Sequence, residues 1–184
     1  MTHHRRRNNG TDPSKINETV ELSPAQRYAA FKQTQAKQRT VAAEFARSMP
    51  FELDEFQMQA NDALEAGDNV LVAAPTGAGK TVAADFAIYL AQTRNVKAFY
   101  TTPIKALSNQ KYHDLVDQYG TDKVGLLTGD TSINSEADIV VMTTEVLRNM
   151  LYEHSVTLEA LRYVILDEVH YLADRFRGPV WEEV

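Results

Sequence analysis

Short apolar runs alternate with amphipathic stretches from Phe51 to the end of the chain. Most of these runs are apolar at nearly every position, which is typical of buried strands in a parallel sheet. The stretches between them repeat apolar residues every three or four positions and predict helices that cover the sheet. We therefore predict an α/β fold. The predicted strands are Val70–Ala74, Val96–Thr101, Val124–Leu127, Ile139–Met142 and Tyr163–Leu166.

Three helices of this region have clear sequence signals. Asp54 precedes Gln57 by three residues, as in a capping box, and predicts a helix that ends near Gly67. A second helix covers the apolar stripe from Val82 to Leu90. A third runs through the stripe from Ile104 to Tyr119, with a glycine as its stop signal.

The first 49 residues have a different character. Residues 1–22 are polar and hold too few apolar groups to offset the entropy of ordering, so we expect a disordered leader. A serine, a proline and a glutamine beginning at Ser23 predict the start of a helix, which we expect to reach about Met49 and to lie outside the core. The predicted divisions are a leader at 1–22, a helical extension at 23–49 and an α/β domain at 50–184.

Composition narrows the functional classes. The net charge is −6, but the first 50 residues hold nine Lys and Arg against four Asp and Glu, whereas the other 134 hold ten against twenty-one. An acidic body argues against a protein that coats nucleic acid by charge alone. There is no cysteine, which excludes disulfides and thiolate metal sites. No apolar run is long enough to span a membrane and no secretory signal is visible, so we expect a cytoplasmic protein.

A glycine-rich segment between Ala74 and Thr81 follows the first predicted strand and precedes a helix. This context predicts a phosphate-binding loop, in which Lys80 reaches the β- and γ-phosphates of ATP and the Thr81 hydroxyl binds Mg²⁺. Ala74 replaces the usual first glycine, and a glycine-rich turn beside a surface lysine is the alternative. The backbone groups expected to surround the phosphates belong to Thr76, Gly77, Ala78 and Gly79.

Two adjacent carboxylates, Asp167 and Glu168, follow the last predicted strand. Ligands bind at the carboxyl ends of strands in open parallel sheets. Asp167 is suited to act as an outer ligand of Mg²⁺, and Glu168 as the base that orients a water molecule. Acidic pairs after strands are often only solvated, but together with the phosphate loop this pair favours ATP hydrolysis.

The phosphate loop and the Asp-Glu-Val-His box at 167–170 resemble motifs I and II of superfamily-2 DExH-box helicases. The segment Thr101–Tyr112 resembles motif Ia of the superkiller-type RNA helicases, the branch that supplies RNA to exosome-like nucleases. The resemblance covers about Pro50 to Val184 and implies a RecA-like, P-loop NTPase domain of an ATP-dependent 3′-to-5′ RNA helicase. Three further segments agree in order and spacing: Leu127–Asp130, Val141–Arg148 and Arg177–Glu183.

The resemblance also implies residue roles. Gln57 matches the glutamine that reads adenine, although capping of its own helix is an open alternative. His170 matches the residue that links the hydrolysis site to the second motor domain. Thr143 has the alternative role of capping the following helix, and both roles can coexist. The residues that match contacts to the sugar-phosphate backbone of single-stranded RNA or DNA are Thr102, Pro103, Thr128, Gly129, Thr143 and Thr144.

The chain departs from the pattern at its end, which lies fourteen residues after His170. We expect it to lack motif III, whose strand separates the Val70–Ala74 and Tyr163–Leu166 strands in this family, and the second motor domain required in cis. A truncated domain of this kind is expected to be inactive alone. The alternatives are a DNA-repair helicase of the related branch and a nucleotide-binding fragment without turnover; a small-molecule kinase has no use for motif Ia.

Overall fold

The computed structural model describes residues 23–37, 39–175 and 178–184, so the predicted leader lies outside the described residues. The described residues fall into two units, one that ends at Arg39 and one from Thr40 to Val184. In the first unit, helix α1 spans Pro24–Lys37. The Ser23 hydroxyl accepts the backbone N–H of Gln26 at 3.3 Å, and the Gln26 side-chain oxygen accepts the backbone N–H of Ser23 at 2.8 Å. This reciprocal cap confirms the predicted helix start.

The single helix expected to reach Met49 is wrong, because a second helix, α2, begins at Val41 and ends at Ser48. Thr40 caps α2, and its hydroxyl accepts a backbone N–H of the first turn at 3.1 Å. The carboxylate of Glu65 accepts two further N–H groups of that turn, at 3.0 and 2.8 Å. Local capping therefore starts a new helix at this point.

Helix α2 is also part of the core rather than a surface extension. Phe45 is 1% exposed and its ring lies 5.2 Å from that of Phe86, centroid to centroid. Burial of a phenylalanine side chain stabilises a fold by about 1.5–3 kcal/mol, which outweighs the sparse apolar pattern of the segment. The pattern underestimated this helix because only two of its residues, Ala42 and Phe45, are fully buried.

The second unit confirms the predicted alternation of helices and strands. Gly67, at φ +95°, ends the helix that Asp54 begins, in a left-handed conformation that glycine adopts without strain. None of the helices in the described ranges has the length and apolar content needed to cross a membrane. The elements are α3 Glu55–Ala66, α4 Thr81–Thr93, β1 Lys97–Thr102, α5 Lys105–Tyr119, β2 Val124–Thr128, β3 Thr131–Ile133, β4 Ile139–Thr143, α6 Thr144–Tyr152, β5 Leu161–Leu166 and α7 Gly178–Glu182, with short 3₁₀ turns at Val156–Leu158 and Val169–Ala173.

The five strands form one sheet in the order β3-β2-β4-β1-β5. All neighbours are parallel except β3, a short polar strand that the sequence pattern did not predict and that pairs antiparallel with β2. Every residue of β4, and every residue of β1 except the first, is buried. Since successive side chains of a strand point to opposite faces, both faces of these two central strands are covered. Tyr100 and Val141 pack on one side of the sheet with Ile88 of α4, whereas Phe99 and Val140 pack on the other with α6.

One predicted strand does not form. The run Val70–Ala74 has no strand structure, and Leu71 is 79% exposed. Strand β5 pairs with β1 along one edge and has no strand on its other edge within the described residues, and its Val164 and Leu166 are 45% and 39% exposed. A strand exists only through hydrogen bonds to a neighbour, so an apolar run without a partner stays irregular. This agrees with the gap expected between these two segments.

Candidate nucleotide-binding site

The predicted phosphate loop connects the irregular run at 70–74 with the first turn of α4. Gly77 and Gly79 have positive φ values of +84° and +74°, which only glycine adopts readily. The backbone N–H of Ala78 donates to the carbonyl of Pro75 at 3.2 Å and tightens the loop. Helix α4 begins directly afterwards, at Thr81, so the positive end of its dipole faces the loop.

The Lys80 side chain folds back and bonds to the start of this loop. Its ammonium group donates to the carbonyl oxygens of Ala74 at 2.9 Å and Pro75 at 3.0 Å. Within the described part of the chain no hydrogen bond or ion pair joins it to Asp167 or Glu168. The lysine is exposed and would exchange two neutral carbonyl partners for charged phosphate oxygens, which make stronger hydrogen bonds.

Gln57 joins the start of α3 to the phosphate loop. Its side-chain oxygen accepts the backbone N–H of Asp54 at 2.9 Å, and its side-chain nitrogen donates to the carbonyl of Gly79 at 3.0 Å. The residue is 4% exposed, and a Cβ placed on Gly79 would lie 2.6 Å from the Gln57 nitrogen. The capping alternative is therefore confirmed, and Gly79 is needed for this close approach. Adenine recognition by Gln57 stays a prediction.

The acidic pair lies at the carboxyl end of β5. The backbone N–H of Asp167 donates to the carbonyl of Thr101 on β1 at 3.0 Å, which continues the sheet by one residue. One carboxylate oxygen of Asp167 accepts the hydroxyl of Tyr100 at 2.7 Å, and the other accepts the backbone N–H of Glu168 at 2.8 Å. Tyr100 was not among the residues predicted for the site, although a tyrosine inside a buried strand needs a hydrogen-bond partner for its hydroxyl.

Glu168 turns the chain sharply away from the sheet. Its φ of +57° places it in the left-handed region, where a residue with a side chain costs about 1–3 kcal/mol. Its carboxylate lies 3.0 Å from the Nδ1 atom of His170, which stacks beside the ring of Tyr171. The carboxylate and the imidazole are 43% and 71% exposed, so both are open to a water molecule or to another domain.

Thr81 and Asp167 carry oxygen donors of the kind that suits Mg²⁺ bound together with a nucleotide. Hydroxyl and carboxylate oxygens such as those of Thr81 and Asp167 are the hard ligands that Mg²⁺ prefers. A carboxylate offers about four lone-pair positions, and the Asp167 carboxylate uses two of them in the protein. In the described ranges no three His, Cys, Asp or Glu side chains form a metal-binding group. Phosphate oxygens and water would therefore complete the coordination, as is usual for this ion.

The residues matched to nucleic-acid contacts lie together at the end of the sheet where the parallel strands have their carboxyl termini. Strands β2, β4, β1 and β5 are neighbours and parallel, so the segments after their carboxyl ends form a row that finishes at Asp167. Lys105 binds Asp130 at 2.6 Å and links the segments after β1 and β2. This ammonium group, as a hydrogen-bond partner, lowers the pKa of the Asp130 carboxyl below its usual value. The exposed Gly129 and the buried Pro103 lie within the row.

Three of the four threonine hydroxyls in this row form hydrogen bonds within the protein. Thr102 is 1% exposed, and its hydroxyl bonds to the Ser108 hydroxyl at 2.7 Å and to a backbone carbonyl at 3.1 Å. The Thr144 hydroxyl donates to the Thr102 carbonyl at 3.3 Å, and the Thr128 hydroxyl donates to Asp130 at 3.0 Å. Thr143 occupies the N-cap position of α6 without a capping bond from its side chain. Contact with nucleic acid would therefore use backbone groups here, and these roles stay predictions.

A parallel sheet with a glycine-rich loop before a helix and an acidic pair after a strand defines a P-loop nucleotide-binding domain of the RecA-like class. Residues 54–184 match the DEAD/DEAH box helicase family, and the chain belongs to that family. The RecA-like α/β fold and the DExH-box identification are thus confirmed.

Relatives place the chain in the superkiller branch of the family. It is 64% identical over 140 residues to the "Probable helicase HelY" of Mycobacterium tuberculosis, covering 76% of this chain and 16% of that protein. It is 53% identical over 139 residues to the "Antiviral helicase SKI2" of Saccharomyces cerevisiae, covering 76% of this chain and 11% of that protein. The chain therefore spans less than a fifth of the length of these two relatives.

A solved structure agrees with the fold. The helicase Lhr of Mycobacterium smegmatis, bound to single-stranded DNA and AMP-PNP, matches with a TM-score of 0.60 and 30% identity. The match covers 76% of this chain and 21% of that chain. The nucleotide analogue and the single strand belong to that complex.

Proposed function

We propose that the intact protein is an ATP-dependent RNA helicase that moves 3′ to 5′ along single-stranded RNA. One observation carries this proposal: the acidic pair follows the carboxyl end of β5, at the same end of the sheet as the segments that follow β2, β4 and β1. A nucleotide bound at this end would lie beside the strand ends that match nucleic-acid contacts. The motif Ia resemblance of Thr101–Tyr112 favours RNA over DNA.

ATP with Mg²⁺ supplies the γ-phosphoryl group whose transfer to water would release energy for movement. The chain's own residues bind and orient. Lys80 would leave its two loop carbonyls and neutralise phosphate charge, while the backbone of 76–79 would surround the phosphates. Asp167 and the Thr81 hydroxyl would hold the cation, and Glu168 would orient the attacking water. Gln57 keeps the loop in place through Gly79.

The nucleic-acid contacts we propose are with the sugar-phosphate backbone. The N–H and C=O groups at Thr102, Pro103, Thr128, Gly129, Thr143 and Thr144 would hold a strand without reading its bases. Such contacts are local, which allows an acidic chain to bind RNA. We further propose a second motor domain acting in cis with His170, an exosome-like nuclease as partner and a cytoplasmic location.

Polarity and substrate class can be tested with the intact protein and short duplexes that carry a single-stranded overhang. We expect ATP-dependent unwinding of an RNA duplex with a 3′ overhang, and little unwinding with a 5′ overhang. Unrelated overhang sequences should compete equally, because backbone contacts do not read bases. A preference for DNA overhangs would favour the DNA-repair branch instead. Binding of ATP without turnover on any strand would favour a nucleotide-binding role alone.

A further inference from the structure

Four side chains from four elements form a chain of contacts that ends at the acidic pair. Asp85 on α4 binds the ammonium group of Lys111 on α5 at 2.9 Å. That ammonium group lies 4.9 Å from the centre of the Tyr100 ring on β1. The Tyr100 hydroxyl then donates to Asp167 at 2.7 Å. We call this set the Tyr100 relay, and it consists of Asp85, Lys111, Tyr100 and Asp167.

The relay is shielded from water over most of its length. Tyr100 is 2% exposed, and the side chains of Lys111 and Asp85 are 15% and 30% exposed. Burial raises the pKa of Tyr100 above its usual value, and the adjacent Asp167 carboxylate raises it further. The Tyr100 hydroxyl donates this hydrogen bond, because the Asp167 carboxylate can only accept one. A hydrogen bond to a charged acceptor in such surroundings is stronger than one in water.

The two hydrogen bonds to Asp167 approach different oxygens. Tyr100 holds one oxygen, and the backbone N–H of Glu168 holds the other. A carboxylate with both oxygens held in this way cannot rotate without breaking a bond. The Lys111 ammonium in turn lies beside the ring and is kept there by Asp85, so the position of the hydroxyl is itself supported from two helices.

We propose that Tyr100 is a positioning residue that orients the Asp167 carboxylate toward the Mg²⁺ ion of the bound nucleotide, with Lys111 and Asp85 holding its ring. This deepens the proposed function and rests on it, because it assumes that Asp167 serves the ion. Groups that hydrogen-bond to metal-binding carboxylates fix their orientation and contribute to metal affinity. Tyr100 touches neither nucleotide nor ion in this scheme and acts only through Asp167.

The test is the variant Tyr100→Phe in the intact protein, which removes one oxygen and keeps the ring under Lys111. Binding of a fluorescent ATP analogue is measured across a Mg²⁺ titration and again with EDTA. We expect the Mg²⁺ concentration for half-maximal effect to rise about tenfold, the lower end of what such supporting groups contribute. Binding in EDTA should not change, because the phosphate loop is untouched. A purely structural role would instead lower both affinities together.

Tyr163→Phe is the matched control. It removes a tyrosine hydroxyl from β5, in the same sheet, where the hydroxyl contacts Arg94 rather than Asp167. This variant should keep the Mg²⁺ dependence of the unchanged protein. An equal response of the Tyr100 and Tyr163 variants would overturn the proposal.

The variant Asp167→Asn distinguishes a failure of the Tyr100 proposal from a failure of the proposed role of Asp167. If this variant loses the Mg²⁺ dependence while Tyr100→Phe keeps it, the Tyr100 proposal fails and the proposed function stands. If Asp167→Asn binds the analogue with an unchanged Mg²⁺ dependence, the proposed role of Asp167 fails, and the Tyr100 proposal fails with it. If Tyr100→Phe does not fold, Lys111→Met, which keeps the hydroxyl, takes its place. A raised Mg²⁺ requirement then supports the relay, and an unchanged one overturns it.

Discussion

The Gln57 side chain bonds both to the N-cap of α3 and to the phosphate loop, so its replacement should affect both stability and nucleotide binding. In Gln57→Ala the Gly79 carbonyl loses the hydrogen bond from the buried Gln57 side chain and keeps the one from the backbone N–H of Val82, at a cost of about 0.5–1.5 kcal/mol. Loss of the capping bond to the exposed Asp54 costs about 0.5–2 kcal/mol more. We expect the free energy of unfolding to fall by about 1–3.5 kcal/mol in total.

The variant Gln57→Glu divides these two contributions. A glutamate oxygen can still accept the Asp54 N–H, but it has no donor for the Gly79 carbonyl. We therefore expect the cap to survive in this variant and the loop contact to be lost. Urea denaturation, followed by circular dichroism, measures the stability of both variants against the unchanged protein.

Nucleotide preference then separates the two roles considered for Gln57. If Gln57 supports the phosphate loop, both variants should lose affinity for ATP and GTP by the same factor, because these nucleotides share their phosphates. If Gln57 reads adenine, the affinity for ATP should fall and that for GTP should not. The two contacts seen at the side chain favour the equal loss. A selective loss of ATP with unchanged stability would refute the loop-support argument.

Four further substitutions test other parts of the structure. Lys80→Ala in the intact protein should abolish ATP hydrolysis, since it removes charged hydrogen bonds of roughly 1.5–3 kcal/mol each from phosphate binding; near-normal turnover would contradict the phosphate-loop assignment. Glu168→Gln should bind ATP normally but hydrolyse it poorly in a phosphate-release assay, and a joint loss would make Glu168 structural. Phe45→Ala should lower the free energy of unfolding by about 3–5 kcal/mol in denaturant titration, because the ring is 1% exposed. A change below about 1 kcal/mol would place α2 outside the core. Asn61→Ala should raise that free energy by roughly 1 kcal/mol, since both polar atoms of its buried amide have no partner among the described residues and alanine favours a helix. A decrease would mean that water satisfies the amide.

Local signals in the sequence predicted the features whose partners are close along the chain. The cap between Asp54 and Gln57 and the stop at Gly67 depend on groups within a single helical turn, and the structure has both. The bends at Gly77 and Gly79 and the start of α4 follow from the order of residues in the loop. The apolar runs of β1, β2 and β4 were sufficient as strand signals, since a strand buried on both faces needs apolar residues on both of them.

Tertiary structure decided the features whose partners are distant. Val70–Ala74 has the composition of a strand but pairs with no strand among the residues that the structure describes, so its pattern alone was misleading. Phe45 is buried because α4 supplies Phe86, and Tyr100 meets Asp167 across 67 positions of sequence because β1 and β5 pair in parallel. A short motif specifies which groups can form a hydrogen bond or a packed contact. Whether a group finds its partner depends on which strand or helix the fold brings beside it, and that arrangement is a property of the whole sheet.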